Sequence, residues 1–164
     1  MMSETEWLAQ LPTLYAAAAA LFTDQAGRVL LVKPNYRDHW SLPGGILEDG
    51  EPPHVGCARE VAEEIGLTIT PGRLLAVDWN APHGVRLKPV IHFVFDGDTL
   101  SQEQIEQIVL QEEELDDYRF TTDYNEFLPP TLVARVTTAL RTRASGGSSA
   151  YVRHVLGTGS CPWE

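Results

Sequence analysis

Apolar residues gather along this chain in short bursts separated by polar turns, and their spacing changes from one burst to the next. Leu14 to Phe22 is apolar throughout, and Thr23-Asp-Gln-Ala-Gly27, a turn signal, follows at once. Its five alanines favour helix by propensity, but the run is only nine residues long. Arg28-Val-Leu-Leu-Val32 then has the β-branched, leucine-rich pattern of a strand. Together they predict two antiparallel strands joined by that turn, with the alanines facing something that packs closely. Leu74 to Trp79 and Val90 to Phe95 predict further strands, and Ile108 to Leu110 and Tyr118 to Thr121 shorter ones.

Other segments carry helical signals. Ser3 to Gln10 predicts a short lead-in helix ended near Pro12. Pro52 or Pro53 suits a helix first turn, where a missing N–H costs nothing, and that helix should run to about Ile65 and stop at Gly66. Ser101 and Gln104 are spaced as a capping box for a short helix to about Gln107. After Pro129-Pro130, apolar residues at 132, 133, 136, 139 and 140 predict a helix over Thr131 to Arg143. Pro34 to Gly45 reads as a loop, Ala144 to Ser149 as a flexible break, and Tyr151 to Leu156 as a small strand or a loose end. There is no internal repeat. The organisation expected is a lead-in over 1–12, one domain over 13–143, and a break and tail over 144–164.

Composition narrows the class. The chain has 164 residues, 43% of them apolar, enough for one ordinary core. With 23 acids against 12 bases the formal charge is −11, which disfavours a broad nucleic-acid or anionic-membrane surface. A local phosphate site stays open, because bound metal ions supply positive charge the composition lacks. Cys57 and Cys161 form neither a disulfide framework nor a CxxC site. The N-terminus lacks a basic n-region, and the longest apolar run is too short to span a bilayer. A soluble, cytoplasmic domain is expected.

The chemistry concentrates between Gly45 and Leu67. Glu51, Glu60, Glu63 and Glu64 lie there with one arginine, Arg59. At ~100° per residue, with Glu60 as zero, Glu64 falls near ~40° and Glu63 near ~300°, one shared arc. Val55, Ala58, Val61, Ala62 and Ile65 fall on the opposing side, and Gly56 leaves the acidic face uncrowded. Like charges at i,i+3 and i,i+4 cost a few tenths of a kcal/mol on a solvated helix. Energy alone therefore allows either an exposed acidic face or a cation site. Hard oxygen ligands select Mg²⁺, Mn²⁺ or Ca²⁺, and Mg²⁺ typically bridges carboxylates to phosphates. Pro43-Gly44-Gly45 lets backbone approach closely with φ > 0, so a carbonyl there is a further candidate ligand.

The spacing G-x5-E-x7-R-E-U-x-E-E-x-G-U, with U a bulky aliphatic residue, is the Nudix box. Gly45, Glu51, Arg59, Glu60, Val61, Glu63, Glu64, Gly66 and Leu67 match every fixed position. Trp40-Ser-Leu-Pro-Gly-Gly45 is similar to the segment that precedes the box, and the resemblance to the Nudix hydrolase family covers roughly residues 14 to 143. It implies an α/β/α sandwich around a mixed sheet. It also implies Mg²⁺-dependent hydrolysis, with Mn²⁺ a substitute, of a nucleoside diphosphate linked to a moiety X. The resemblance makes Glu63 and Glu64 metal ligands, Glu60 a ligand or the general base, and the Gly45 carbonyl the backbone ligand. Arg59 would orient the carboxylates, and Glu51 would tie the loop to the helix. Some family members place the base in a later loop, where Glu114, closing Glu112-Glu113-Glu114, is the candidate; the plainer reading is a solvated acidic turn.

Substrate choice is less legible. Tyr36, Arg37, Trp40, Trp79 and Arg86 are candidates, since bases stack on aromatic rings and guanidinium holds phosphate. Each also has a plain structural reading as core or solvated surface, as do Lys33, His39, His83, Lys88 and His92. A nucleoside triphosphate, oxidised or otherwise non-standard, and a nucleotide sugar such as ADP-ribose both fit. A homodimer is compatible with the sequence but not read from it. The alternative to an enzyme is a Nudix-fold binding or sensor module without turnover, which the intact box disfavours.

Overall fold

The computed structural model describes residues 2–152. Strands β1 (Tyr15–Thr23) and β2 (Val29–Pro34) flank the turn closed by Gly27, and β1 alternates its side chains between two cores. Ala18, Ala20 and Phe22 point to one face; Ala19 and Leu21 point to the other. The strand reading of the alanine run therefore prevails over its helix propensity. Strands β3 (Gly44–Ile46), β4 (Leu74–Asn80), β5 (Val90–Thr99), β6 (Leu115–Thr121) and β7 (Ala150–Val152) complete a mixed sheet. Its order is β6-β2-β1-β5-β4-β7, with β3 paired to β1; β1–β5 and β4–β7 are parallel.

Helices cover both faces. On one side α2 (Pro53–Ile65) buries Cys57, Val61 and Ile65 against Ala18, Ala20 and Phe22. On the other α4 (Pro130–Ser145) buries Val136 and Ala139 against Leu21, Leu31, Leu75 and Val94. The short α1 (Glu4–Leu8) and α3 (Gln102–Glu106) each begin with a complete capping box, from Ser3 and Ser101. This is the expected α/β/α sandwich with a mixed central sheet. Among the described residues no helix is long and apolar enough to cross a membrane.

Three expectations need correction, and one turn was not foreseen. Gly44 and Gly45, the end of the loop expected over Pro34 to Gly45, form β3 with Ile46, because Ala17, Ala18 and Ala19 offer a free ladder edge where β1 has parted from β2. Ile108 to Leu110 is not a strand. Instead the Val109 and Gln111 N–H groups donate to the Ile65 and Glu64 carbonyls, closing the end of α2. A 3-10 turn over Tyr124–Glu126, which no spacing announced, leads into α4. Finally, Val55 and Ala62, placed on the core side of α2, are exposed, whereas Glu64 is buried. The helix lies in the corner between β1 and β3, so its buried arc turns toward the carboxylates. Residues 153–156, the rest of the expected last strand, fall outside the described residues, as does Cys161.

The face of α2 can be tested with one residue type. Val61 is fully buried and Val55 is 45% exposed. Val61→Ala should cost about 2 kcal/mol of unfolding free energy, from lost burial plus a residual cavity. Val55→Ala should stay within about 0.5 kcal/mol of wild type. Urea unfolding of both variants measures this, and equal costs would contradict the orientation.

Candidate active site

Two glycines let the acidic edge of α2 touch backbone. A Cβ on Gly45 would lie 2.5 Å from the Glu60 carboxyl carbon, so the Glu60 carboxyl rests directly on this residue. Next to it the Gly44 N–H donates to Glu64 Oε2 at 2.7 Å. The space beside Gly56, read from sequence as open, is filled by Leu47 and Glu51. That is a correction with a use: the glycine admits the loop residue Glu51 to the helix surface.

Arg59 organises the rest. Its Nε and Nη2 donate to the two Glu51 oxygens, both at 2.9 Å, a bidentate fork. Nη1 donates to Glu60 Oε1 at 2.9 Å and to Glu63 Oε2 at 3.0 Å, while Nη2 also reaches the Ile46 carbonyl at 3.2 Å. One guanidinium thus joins three carboxylates, the end of β3 and the loop between β3 and α2. Glu51 in turn accepts from the Glu48 N–H at 3.0 Å.

Protonation follows these contacts. Arg59, with the Glu48 N–H, holds Glu51 down at about 2. Burial pushes Glu64 up from 4.5 to about 8, against the Gly44 hydrogen bond, with Glu60 and Glu114 adding to the rise. Burial also raises Glu60, opposed by Arg59. The carboxylate that Arg59 grips by a fork is a firm anion, whereas burial raises the proton affinity of Glu60 and Glu64.

The candidate residues are distributed unevenly. Glu114 lies within electrostatic range of both Glu60 and Glu64, because Asn35 binds its segment through N–H to the Glu114 carbonyl at 2.9 Å and Nδ2 to the Glu113 carbonyl at 2.8 Å. Tyr36 and Arg37 follow Asn35 and interact with the same acids, Tyr36 with Glu64, Glu114 and Glu60, Arg37 with Glu64. Trp40 packs edge-on against Phe127 beneath the Arg119 guanidinium, which makes it part of the wall. Trp79 lies 40% exposed on β4. Both terminal nitrogens of Arg86 are taken up by backbone carbonyls of its own turn. Sequence reasoning missed Asn35 and the Ile46 carbonyl. An asparagine just past a strand end was the only signal for the first, and nothing marks the second.

Behind the sheet, under α4, lies a second polar group. Arg135 Nε donates to the fully buried Asp78 at 2.7 Å, and Asn80 Nδ2 donates to the same oxygen at 3.0 Å. His92, the cross-strand neighbour of Asp78, is pushed down to about 3 by burial and by Arg135, so it is neutral.

Known proteins resemble this chain in sequence and in fold. The family model described as NUDIX domain matches residues 13–141. A MutT-like protein of Streptomyces ambofaciens is 33% identical over 84 residues, 51% of this chain and 54% of that one. An 8-oxo-dGTP diphosphatase of Proteus vulgaris is 37% identical over 62 residues, 35% of this chain and 55% of that one. The crystal structure of a MutT protein from Methanosarcina mazei Go1 superposes with a TM-score of 0.65 at 25% identity, covering 84% of this chain and 98% of that one. The matched part spans about half the length, or less, of the curated relatives.

Proteins with this domain use divalent metal ions. Among the described residues no three of His, Cys, Asp or Glu form a ready cage, and Arg59 bridges Glu60 and Glu63. The donor chemistry nevertheless fits. Glu60 and Glu64 bring hard carboxylate oxygens onto the Gly44–Gly45 backbone, and burial raises the proton affinity of both.

A linkage measurement tests that fit. The folded chain keeps a proton on Glu64 between 4.5 and about 8 that the unfolded chain has released. The resulting stability is complete below the unfolded value and is lost as pH rises through about 8. A divalent cation competes with this proton for the same oxygens. Thermal unfolding with and without Mg²⁺ or Mn²⁺ should therefore show a cation-induced rise in Tm that grows from about pH 6 to about pH 8. Glu64→Gln should reduce that rise. A pH-independent response, or none, would contradict the assignment.

Proposed function

The chain belongs to the NUDIX family, and on that premise we propose that it is a pyrophosphohydrolase cleaving nucleoside diphosphates linked to a moiety X. The observation that carries this reading is the pairing of Glu60 and Glu64 over the Gly44–Gly45 backbone, with Arg59 fastening the preceding loop. Glu60, Glu63, Glu64 and the Gly45 carbonyl would hold Mg²⁺, or Mn²⁺ in its place. A divalent ion held there supplies charge neutralisation at the diphosphate oxygens and raises the acidity of nearby water.

The protein's own residues do the rest. Arg59 keeps Glu60 and Glu63 on the site side of the helix while Glu51 fixes Arg59 itself. A carboxylate, Glu60 or Glu114, takes a proton from the attacking water as its oxygen bonds to phosphorus. The P–O bond of the anhydride breaks on the opposite side, giving a nucleoside monophosphate and phospho-X. Glu60 serves as this base where Glu63 and Glu64 carry the ion, since burial then raises its proton affinity; where Glu60 is itself a ligand the role falls to Glu114. Tyr36 and Arg37, carried by the loop that binds the Glu114 segment, line the approach. A nucleoside triphosphate such as 8-oxo-dGTP and a nucleotide sugar such as ADP-ribose are the substrate classes in view.

A direct product assay with Mg²⁺ and a panel of both classes tests the reading. Turnover of at least one is expected; tight binding of one with turnover of none would mean a sensor. Glu64→Gln should lower kcat by about 100-fold or more, the loss seen when one electrostatic stabiliser is removed, with the circular dichroism spectrum unchanged. Near wild-type turnover would contradict its role. Between Glu60→Gln and Glu114→Gln, the variant that abolishes the acidic limb of the pH–rate profile identifies the base.

A further inference from the structure

Residues 2–15 are all exposed, yet this arm carries Trp7, Leu8, Leu11 and Leu14 with much of their apolar surface in water. Its helix α1 is five residues long and holds itself by the Ser3–Glu6 capping box and by Gln10 reaching the Glu6 carbonyl. Isolated helices shorter than about 12–15 residues are marginal in water. Among the described residues, no hydrogen bond or ion pair joins 2–14 to the body; the first is Tyr15 N–H to the Pro89 carbonyl at 2.9 Å.

Pro89 ends a second unpartnered piece. The turn over 81–89 joins β4 to β5 and leaves Val85 fully exposed and Leu87 84% exposed. This turn is braced. Arg86 donates to the carbonyls of Ala81 at 2.8 Å, Lys88 at 2.9 Å and Asn80 at 3.3 Å, and His83 and Arg86 exchange backbone hydrogen bonds. A fixed loop that keeps two aliphatic side chains in water has the form of a contact surface. The charges of the two pieces are opposed: the arm holds Glu4 and Glu6 and no base, the turn Arg86 and Lys88 and no acid.

We propose that the arm of one copy lies on the 81–89 turn of a second copy, in a reciprocal homodimer. Tyr15 and Val90 are neighbours on parallel strands, so arm and turn leave the sheet side by side at one end. A two-fold axis beside that end brings each arm onto the other copy's turn, the self-complementary contact a closed dimer requires. Within one chain, among the described residues, only Tyr15 meets the turn, its ring 5.6 Å from the Lys88 ammonium, and Val85 and Leu87 stay uncovered. Two chains of charge −11 repel over most of their surfaces, so opposed local charges fix where they meet.

Sedimentation or light scattering of the full chain at micromolar concentration tests the interface, independently of any turnover. The wild type should have the mass of two chains. Val85→Glu with Leu87→Glu, and separately Trp7→Glu with Leu8→Glu, should each halve that mass with an unchanged circular dichroism spectrum, since these side chains stand in solvent in the single chain. Leu8→Cys protein mixed with Val85→Cys protein should form a disulfide-linked mixed dimer on oxidation. A single-chain mass for the wild type, or a dimer that survives either substituted pair, overturns the proposal.

Discussion

How closely the acidic edge of α2 approaches the Gly44–Gly45 backbone decides the rest of the site. The driving force is ordinary packing. Cys57, Val61 and Ile65 are fully buried, and burial of each larger apolar side chain stabilises by about 1.5–3 kcal/mol. Repulsion between like charges costs a few tenths of a kcal/mol per pair on a solvated helix; packing carries Glu64 inward, where burial is the larger perturbation of its carboxyl. The approach is sterically open only because β3 begins with two residues that lack side chains and β1 presents alanines. A methyl group at position 45 would occupy the place of the Glu60 carboxyl.

Arg59 makes that arrangement tolerable before any ligand arrives. It sits at 23% side-chain exposure among carboxylates, and its charge is secured by Glu51 first and by Glu60 next. The Glu51 fork and the Ile46 carbonyl bind the guanidinium from the loop side, while Glu60 and Glu63 bind it from the helix. Loop and helix are therefore fastened to each other through a single residue. On the proposed reading this positions the ligand set without spending Arg59 on the substrate.

Much of this was legible in the sequence because the signals were local. Pro53 and Gly66 mark the ends of α2, Ser101 and Gln104 form the box their spacing announced, and the family and its sandwich fold follow from the motif. What escaped was relational. A helical wheel assumes one partner surface, but α2 has two, β1 and β3, so Val55 and Glu64 changed places relative to the core. Gly44-Gly45 has no strand propensity of its own and pairs because β1 offers an edge. Arg86 resembled a phosphate ligand by type, yet the turn it belongs to supplies three carbonyls first. Residue type names a chemistry; only the fold says whether the group is free to perform it.

The sign of the charges explains why the buried carboxyls must hold something positive. Glu60, Glu64 and Glu114 face one another at the end of the sheet, with Arg37 the cation that relieves Glu64 from outside the helix. A diphosphate arriving there brings further negative charge into surroundings of lowered dielectric, where repulsion is stronger than in water. Anionic carboxylates and an anionic ligand cannot share this space unaided. A proton on Glu64 reduces the repulsion but removes a ligand oxygen, whereas a cation reduces it and keeps that oxygen. The elevated proton affinity of Glu64 and its fitness to bind a divalent ion thus have the same cause, a carboxylate forced under a helix by apolar packing.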